Sequence, residues 1–344
     1  MIDFSSDVKT LPSAAMRQAM ASAEVGDEQA FEDPTVNALC ARVAALLGKE
    51  AALFAPSGCM CNQIAIASWC RPGEEVIADR SAHIAWFESG GPAANAGVML
   101  NTLDGDRGRF DLAQLQAALR PRWRHCPLPT LLAVEQTCNL GGGAVWPLPQ
   151  LQAVAAFAHS EGMHTHMDGA RLLNAVIASG VAASDYAAPF DSVWLDLSKG
   201  LGAPIGAVLA GSREFIERAW GVKQRLGGAM RQAGILAAAG LYALDHNVER
   251  LRLDHQNARA LALGLSQIGG LMIDPTTIET NLVFFDVDAQ VLGFDAATFA
   301  SRLATLGYKM GPFDARRVRA VTHLDISAEN VQQALAAVAK VCAG

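Results

Sequence analysis

The sequence has no excess of basic residues: 27 Lys and Arg stand against 34 Asp and Glu, a formal net charge of −7. That balance argues against a general nucleic-acid surface, which needs positive charge to meet phosphates. Long apolar runs are also missing. The most apolar helical stretch, Ile235 to Leu244, follows Arg231 and Gln232 and is far shorter than the roughly 20 residues a membrane helix needs. Met1 to Asp7 has no basic region leading into an apolar core, so no secretory signal is expected. The seven cysteines are odd in number and follow no framework spacing, which fits a reducing cytoplasm. Cys59-Met60-Cys61 is too closely set to be half of a zinc site, and no second Cys/His pair answers it; no metal is expected. Internal repeats and low-complexity segments are absent as well.

What remains is a globular composition, 51% hydrophobic and 18% charged, in 344 residues. That length predicts one large and one small domain. From about residue 35 to 210, helix-like and strand-like pieces alternate. Helices are expected over Val36 to Leu47, Met60 to Trp69 and Pro149 to His159. Strands are expected at Ala51 to Ala55, Glu75 to Ala78, Leu131 to Glu135, Met163 to Asp168, Ser192 to Leu195 and Ile205 to Leu209. Short apolar strands between helices imply an α/β fold with a mainly parallel sheet covered on both faces. Beyond this the pattern changes: helices over Arg231 to His246 and Asp254 to Ile268, a strand at Thr280 to Val287, a helix at Asp295 to Leu306, a strand at Arg317 to Leu324 and a final helix from Ala328 to Val341. The boundary is placed so that residues 1–247 form the large domain and 248–344 the small one.

In open α/β sheets ligands sit at the carboxyl ends of the strands. Gly58, Glu135, Asp168 and Lys199 all fall at or just past predicted strand ends, so the candidate chemistry converges on one edge. Asp168 ends an apolar segment, and Lys199 lies in the Ser/Gly-rich turn Ser198-Lys199-Gly200-Leu201-Gly202. This is the pair that pyridoxal phosphate (PLP) chemistry needs: an amine to form a Schiff base and a carboxylate to keep the pyridine nitrogen protonated. Taken singly, Lys199 also reads as a solvated lysine beside a glycine turn, and Asp168 as a helix cap. Ser57-Gly58-Cys59, between a strand and a helix, can offer backbone N–H groups to a phosphate, or can be an ordinary turn.

Across nearly the whole chain the sequence resembles the low-specificity L-threonine aldolases, PLP enzymes of fold type I in the aspartate-aminotransferase-like superfamily. The resemblance is carried by Ser6-Asp7, Gly26-Asp27, Glu32-Asp33-Pro34-Thr35-Val36-Asn37, Asp168-Gly169-Ala170-Arg171-Leu172, Leu197-Ser198-Lys199-Gly200-Leu201-Gly202, Met230-Arg231-Gln232-Ala233-Gly234 and Val321-Thr322-His323-Leu324-Asp325. It implies a large domain with a seven-stranded-type sheet and a smaller α+β C-terminal domain. It also implies cleavage of a β-hydroxy-α-amino acid, such as L-threonine or L-allo-threonine, to glycine and an aldehyde, in a homotetramer with shared active sites. Residue by residue it assigns Lys199 to the cofactor aldehyde, Asp168 to the ring nitrogen and His83 to stacking on the ring. Ser57, Gly58, Cys59 and Arg231 are assigned to the phosphate, the last across a subunit interface. Arg171 and Arg319 are expected to grip the substrate carboxylate with help from Ser6, because a planar guanidinium suits a bidentate contact.

The chain departs from the family at several of these places. Cys59 stands where a hydroxyl residue is usual. Cys138 stands where the family has histidine in a Thr-His-Asn triplet, near the substrate hydroxyl. Ala30-Phe31 replaces Tyr-Gly, and Ala85 replaces a tyrosine two places after His83. A thiol is a poor base at neutral pH unless its pKa is lowered. The last three changes remove polar side chains, which leads to the expectation of a roomier, less polar pocket that prefers bulky substrates such as phenylserine. The same frame could also support β-elimination, racemisation or transfer of a glycine unit, and a catalytically weak PLP-binding protein is the answer of a different class.

Overall fold

Alternating short apolar strands and helices do build one large sheet in the computed structural model, which describes residues 1–343. Its strands are β1 (Ala51–Ala55), β2 (Glu75–Asp79), β3 (Met99–Leu103), β4 (Pro129–Glu135), β5 (His164–Gly169), β6 (Ser192–Asp196) and β7 (Ala207–Gly211). They lie in the order β1-β7-β6-β5-β4-β2-β3. All neighbours run parallel except β7, which is antiparallel to both β1 and β6. The link from β6 to β7, residues 197–206, is too short for a helical crossover, so the chain must return antiparallel. That constraint places the Lys199 turn directly at the end of β6. Strands β2 and β6 are buried along their whole length, as expected of a sheet covered on both faces.

The flanking helices follow from their sequences. In α1 (Pro34–Leu47), Asp33 caps the N-terminus by accepting from the N–H groups of Thr35 and Val36, and Pro34 occupies the first turn. Val36, Leu39, Val43 and Leu47 fall on one buried face, and Gly48 ends the helix in a left-handed conformation (φ 62°). In α2 (Gly58–Trp69), Ser57 is the N-cap. Helix α3 (Gly234–His246) begins three residues later than the periodicity predicts, leaving Arg231 in the preceding turn. The strand Met99–Leu103 and the helix Arg213–Arg225 are not anticipated by the sequence reading. The first is polar and partly exposed, with only Leu103 buried.

Past α3, helix α4 (Leu251–Leu265) packs on β8 (Leu282–Val287), which pairs antiparallel with β9 (Arg317–Val321), and α5 (Ala328–Ala343) packs against α4. This region has its own apolar core, including Leu261, Leu265, Phe285, Phe299 and Val338. Phe4 is buried in the same core, and Ile2–Asp3 pairs with Tyr308–Lys309. The N-terminal segment is thus tied to the C-terminal region, and residues 5–10 run past the carboxyl edge of the large sheet. There Thr10 Oγ1 donates to the Lys199 carbonyl at 2.8 Å.

Candidate active site

Asp168 is the last residue but one of β5 and Glu135 ends β4, and the two are register partners on adjoining parallel strands. Asp196 ends β6, three residues before Lys199. Strand termini therefore bring three carboxylates and one amine to a single edge. Asp168 and Glu135 are both buried, and burial is the main reason each holds its proton more tightly than usual. Glu135, with Asp168 beside it, is pushed up to about 7. The Lys199 ammonium lies 2.7 Å from Asp196 Oδ2 and 5.6 Å from the Trp194 ring centroid. Burial and Arg171 oppose the charged form of Lys199, but Asp196, Asp7 and Asp168 outweigh them and hold its pKa above the ordinary lysine value.

Below Asp168 a chain of hydrogen bonds runs in one direction. Trp69 Nε1 donates to Ser192 Oγ at 2.9 Å, and the Ser192 hydroxyl lies 2.8 Å from His166 Nδ1. His166 Nε2 lies 3.1 Å from Asn62 Oδ1, which also accepts from Trp194 Nε1 at 2.7 Å. Because an indole N–H only donates, the Asn62 oxygen must face Trp194 and its amide nitrogen must face the acids. That nitrogen donates to Asp168 Oδ2 at 2.8 Å and to Glu88 Oε1 at 2.7 Å. His166 stays neutral, its pKa driven down to about 3 by burial. Asp168 Oδ1 accepts from the Ala170 N–H at 3.0 Å, so both of its oxygens are held.

His83 stands beside this floor. Its Nδ1 donates to Glu88 Oε1 at 2.9 Å, and its backbone N–H donates to Glu135 Oε2 at 3.2 Å. Its Nε2 has no protein partner among the described residues. Burial lowers the His83 pKa, but the Glu88 hydrogen bond and the charges of Asp168, Glu88 and Glu135 outweigh it and raise the value overall. Ser57 and Cys59 are exposed at the N-terminus of α2. The N–H groups of Gly58 and Cys59 find no acceptor among the described residues, as expected of a helix N-terminus open to an anion. A Cβ on Gly58 would lie 2.2 Å from the Trp194 ring, so only glycine lets this turn pack against it. The Cys59 thiol is itself pushed up to about 11, by burial first and then by Glu88.

The arginines differ. Arg171 is buried and makes a bidentate pair with Asp7, Nε and one Nη each 2.7 Å from a carboxylate oxygen. Asn281 also donates to Asp7, whose carboxyl is held well below its usual pKa despite burial. The other Nη of Arg171 makes no hydrogen bond among the described residues. Arg319 donates to the Ser5 carbonyl at 3.0 Å and to Asn139 Oδ1 at 3.3 Å. Burial, and then the nearby Arg171, weaken its hold on its proton. Ser6 is half-buried, its hydroxyl accepting from the Val8 N–H at 3.4 Å.

Two expected site residues stand apart from this cluster. Cys138 is 2% exposed, and its Sγ lies over the Glu135 carbonyl at 3.4 Å. Burial, with Glu135 and Asp79 nearby, raises its pKa well above normal, which argues against a role as a base. Arg231 lies apart from the cluster within one chain, 64% exposed and paired with Asp27 at 2.8 Å, as a residue expected to act across a subunit interface would. Asn62, Glu88, Asp196 and Asp7 escaped the sequence reading as site residues. Asp196 carried a signal, an acid at a strand end just before the lysine turn, and Asn62 was a polar residue on an otherwise apolar helix face.

The sequence model of the beta-eliminating lyase family matches residues 3–289. The chain is 39% identical to low-specificity L-threonine aldolase 1 of Arabidopsis thaliana, covering 97% of this chain and 94% of that protein. It is also 39% identical to the low specificity L-threonine aldolase of Escherichia coli, covering 98% of both. The chain belongs to the low-specificity L-threonine aldolase group of this family. The structure of the Leishmania major threonine aldolase superposes with a TM-score of 0.84 over 99% of this chain and 100% of that one, at 20% identity. That likeness establishes the fold as the type I architecture of PLP enzymes, the one the sequence resemblance implied.

Proposed function

We propose that this lyase holds PLP at the carboxyl edge of the large sheet and cleaves β-hydroxy-α-amino acids to glycine and an aldehyde. The observation that carries the proposal is the convergence of Lys199, Asp168 and His83 on that edge, with free helix N–H groups alongside. These residues fit the cofactor: an amine for its aldehyde, a buried acid for its ring nitrogen, an imidazole for its face and Ser57-Gly58-Cys59 for its phosphate. When bound, PLP supplies an electron sink for the bond being broken.

The rest falls to this chain's side chains. Asn62 aims the Asp168 carboxylate and, through Glu88, the His83 ring, so acid and imidazole are set by one amide. A cationic nitrogen beside Asp168 offsets the burial that otherwise keeps it protonated. Arg319 and the other Nη of Arg171 form a doubly cationic corner for the substrate carboxylate, with Ser6 at its rim, while Asp7 fixes the plane of Arg171. With Cys138 excluded, His83 Nε2 is the group that takes the proton of the β-hydroxyl.

The pocket reading is sharpened by two other departures. Ala30 and Ala85 are exposed, and next to Ala85 stand Trp86 and Phe87, also exposed, with the Phe87 ring 5.5 Å from His83. An aromatic rim in place of tyrosine hydroxyls supports a preference for phenylserine over threonine. Exposed Phe31, Trp86 and Trp123, together with the outward Arg231, support an assembly of several copies, a tetramer on the family pattern. We take 1–247 and 248–344 as the two domains, with the N-terminal strand and Phe4 docked on the second. Seven free cysteines support a cytoplasmic setting, and no helix among the described residues is long and apolar enough to cross a membrane. The test is to give PLP-loaded protein L-threonine and L-phenylserine separately and compare kcat/KM: a higher value for threonine removes the pocket reading.

A further inference from the structure

One corner of the site holds more than the cofactor reading uses. Cys59 Sγ, a ring nitrogen of His83 and a carboxylate oxygen of Glu88 all lie within 4.8 Å of one another. Sulfur, imidazole nitrogen and carboxylate oxygen form a donor set that zinc accepts, and three protein ligands with an open fourth position make an accessible site. Zinc ligands at about 2.0–2.3 Å from the metal sit about 3.3–3.8 Å apart in a tetrahedron. His83 Nδ1 and Glu88 Oε1, 2.9 Å apart, would open slightly to admit the metal, and the exposed Cys59 side chain can adjust to it. The anchor is Glu88. It is buried, with Asn62 donating to one oxygen and Gln63 to the other, which is the kind of outer-shell support that orients a metal ligand. The charges nearest Cys59 favour a cation too: Glu88, Asp168 and Asp196 stand against the ammonium of Lys199. The Cys59-Met60-Cys61 spacing conceals this cluster, because the partner of Cys59 is not Cys61. That thiol is buried on the other side of the helix turn, in the apolar cluster with Ile64 and Trp194.

We propose that the protein free of PLP binds one thiophilic divalent cation, with zinc as the reference ion, through Cys59, His83 and Glu88, and that this ion and PLP exclude one another. Binding is a simple exchange: the Cys59 S–H proton leaves to solvent, the sulfur lone pair forms the metal bond, and nothing is oxidised or reduced. Exclusion rests on the cofactor reading, since Cys59 and His83 serve both occupants. A neutral alcohol in place of Cys59 would be a far poorer zinc ligand.

The test uses the full-length protein stripped of PLP and titrated with cobalt(II) and then zinc. The expected result is one ion per chain, a sulfur-to-cobalt charge-transfer absorption that zinc abolishes, and release of about one proton per ion bound. Cys59→Ser should remove that absorption and weaken zinc binding at least about tenfold, and His83→Ala should weaken it comparably. No charge-transfer absorption in the unaltered protein, or one that survives Cys59→Ser, overturns the site. Zinc binding is then followed calorimetrically in PLP-loaded protein. Loss of the binding heat supports exclusion. An unchanged heat overturns exclusion and the placement of Cys59 at the cofactor, a failure separate from that of the metal site itself.

Discussion

The cofactor floor and the substrate rim of this site are built on different principles. The floor is finished within one chain. Asp168, Asn62, His166, Ser192 and Trp194 are buried, and their polar atoms satisfy one another in a single directed chain. The rim is unfinished: Arg231 points to solvent, Ser6 is half-buried, and Arg171 already spends two nitrogens on Asp7. Strand ends and a helix N-terminus, which backbone geometry fixes, make the floor. Loops and a strap from the N-terminus make the rim. Chemistry common to many substrates belongs on the rigid part, and selectivity belongs on the part that second copies and small changes can alter.

The floor is where the largest effects should lie. Lys199→Ala should reduce turnover at least about a thousandfold and remove the absorbance of cofactor linked to the protein, because it deletes the amine that the cofactor aldehyde would take. Retained absorbance with full turnover would show that the cofactor sits elsewhere. Next comes the hinge between floor and rim. Asp7→Ala leaves the Arg171 guanidinium buried without its partner and should cost about 3–5 kcal/mol in a denaturant titration. A change within error would mean that water reaches Arg171 and that its plane is not set by Asp7. Within the floor, Asn62→Ala unpairs the Trp194 indole and the His166 imidazole at once and should cost about 1–3 kcal/mol for each group left unsatisfied.

Two smaller effects depend on pH. The Glu135 carboxyl is raised from 4.5 to about 7, so the folded chain binds this proton more tightly than the unfolded one. Its contribution to stability is complete below 4.5 and fades as pH rises through about 7. In PLP-free protein, Glu135→Gln should flatten that part of the stability profile, and an unaltered slope would assign the loss to another group. For catalysis, His83 must be neutral to accept a proton, and its pKa lies above the ordinary 6.5. The rate should therefore climb with pH beyond that value, and His83→Asn should remove the climb along with most of the turnover. The smallest effect on the fold belongs to the rim: Arg231→Ala should change stability by no more than about 0.5 kcal/mol while PLP affinity falls about tenfold. If PLP affinity were untouched, Arg231 would be a surface charge paired with Asp27 and nothing more.

The same division governs what could be read from the sequence. Asp168 and Lys199 were legible because each sits where a strand must end, and alternating strands and helices put those ends on one edge. The parallel sheet followed from the same pattern. Asn62 and Asp7 were not legible as site residues, since their partners lie far away in sequence: Asn62 meets Asp168 and Trp194, and Asp7 meets Arg171 and Asn281. Cys138 misled for the opposite reason. Its place in a motif suggested a polar role, whereas the fold packs its sulfur against Gly108, whose Cβ would lie 3.0 Å from it. Introducing histidine there should overpack the core by about 1–3 kcal/mol and leave cleavage no faster.

The most direct measurement is product analysis with the Lys199→Ala protein as control. PLP-loaded protein is given L-phenylserine and L-threonine separately, and glycine, aldehyde and α-keto acid are quantified together. The account predicts glycine and aldehyde in equal amounts from both, faster from phenylserine, and neither from the control. An α-keto acid in place of glycine, or no product from a protein that visibly holds PLP, would contradict it.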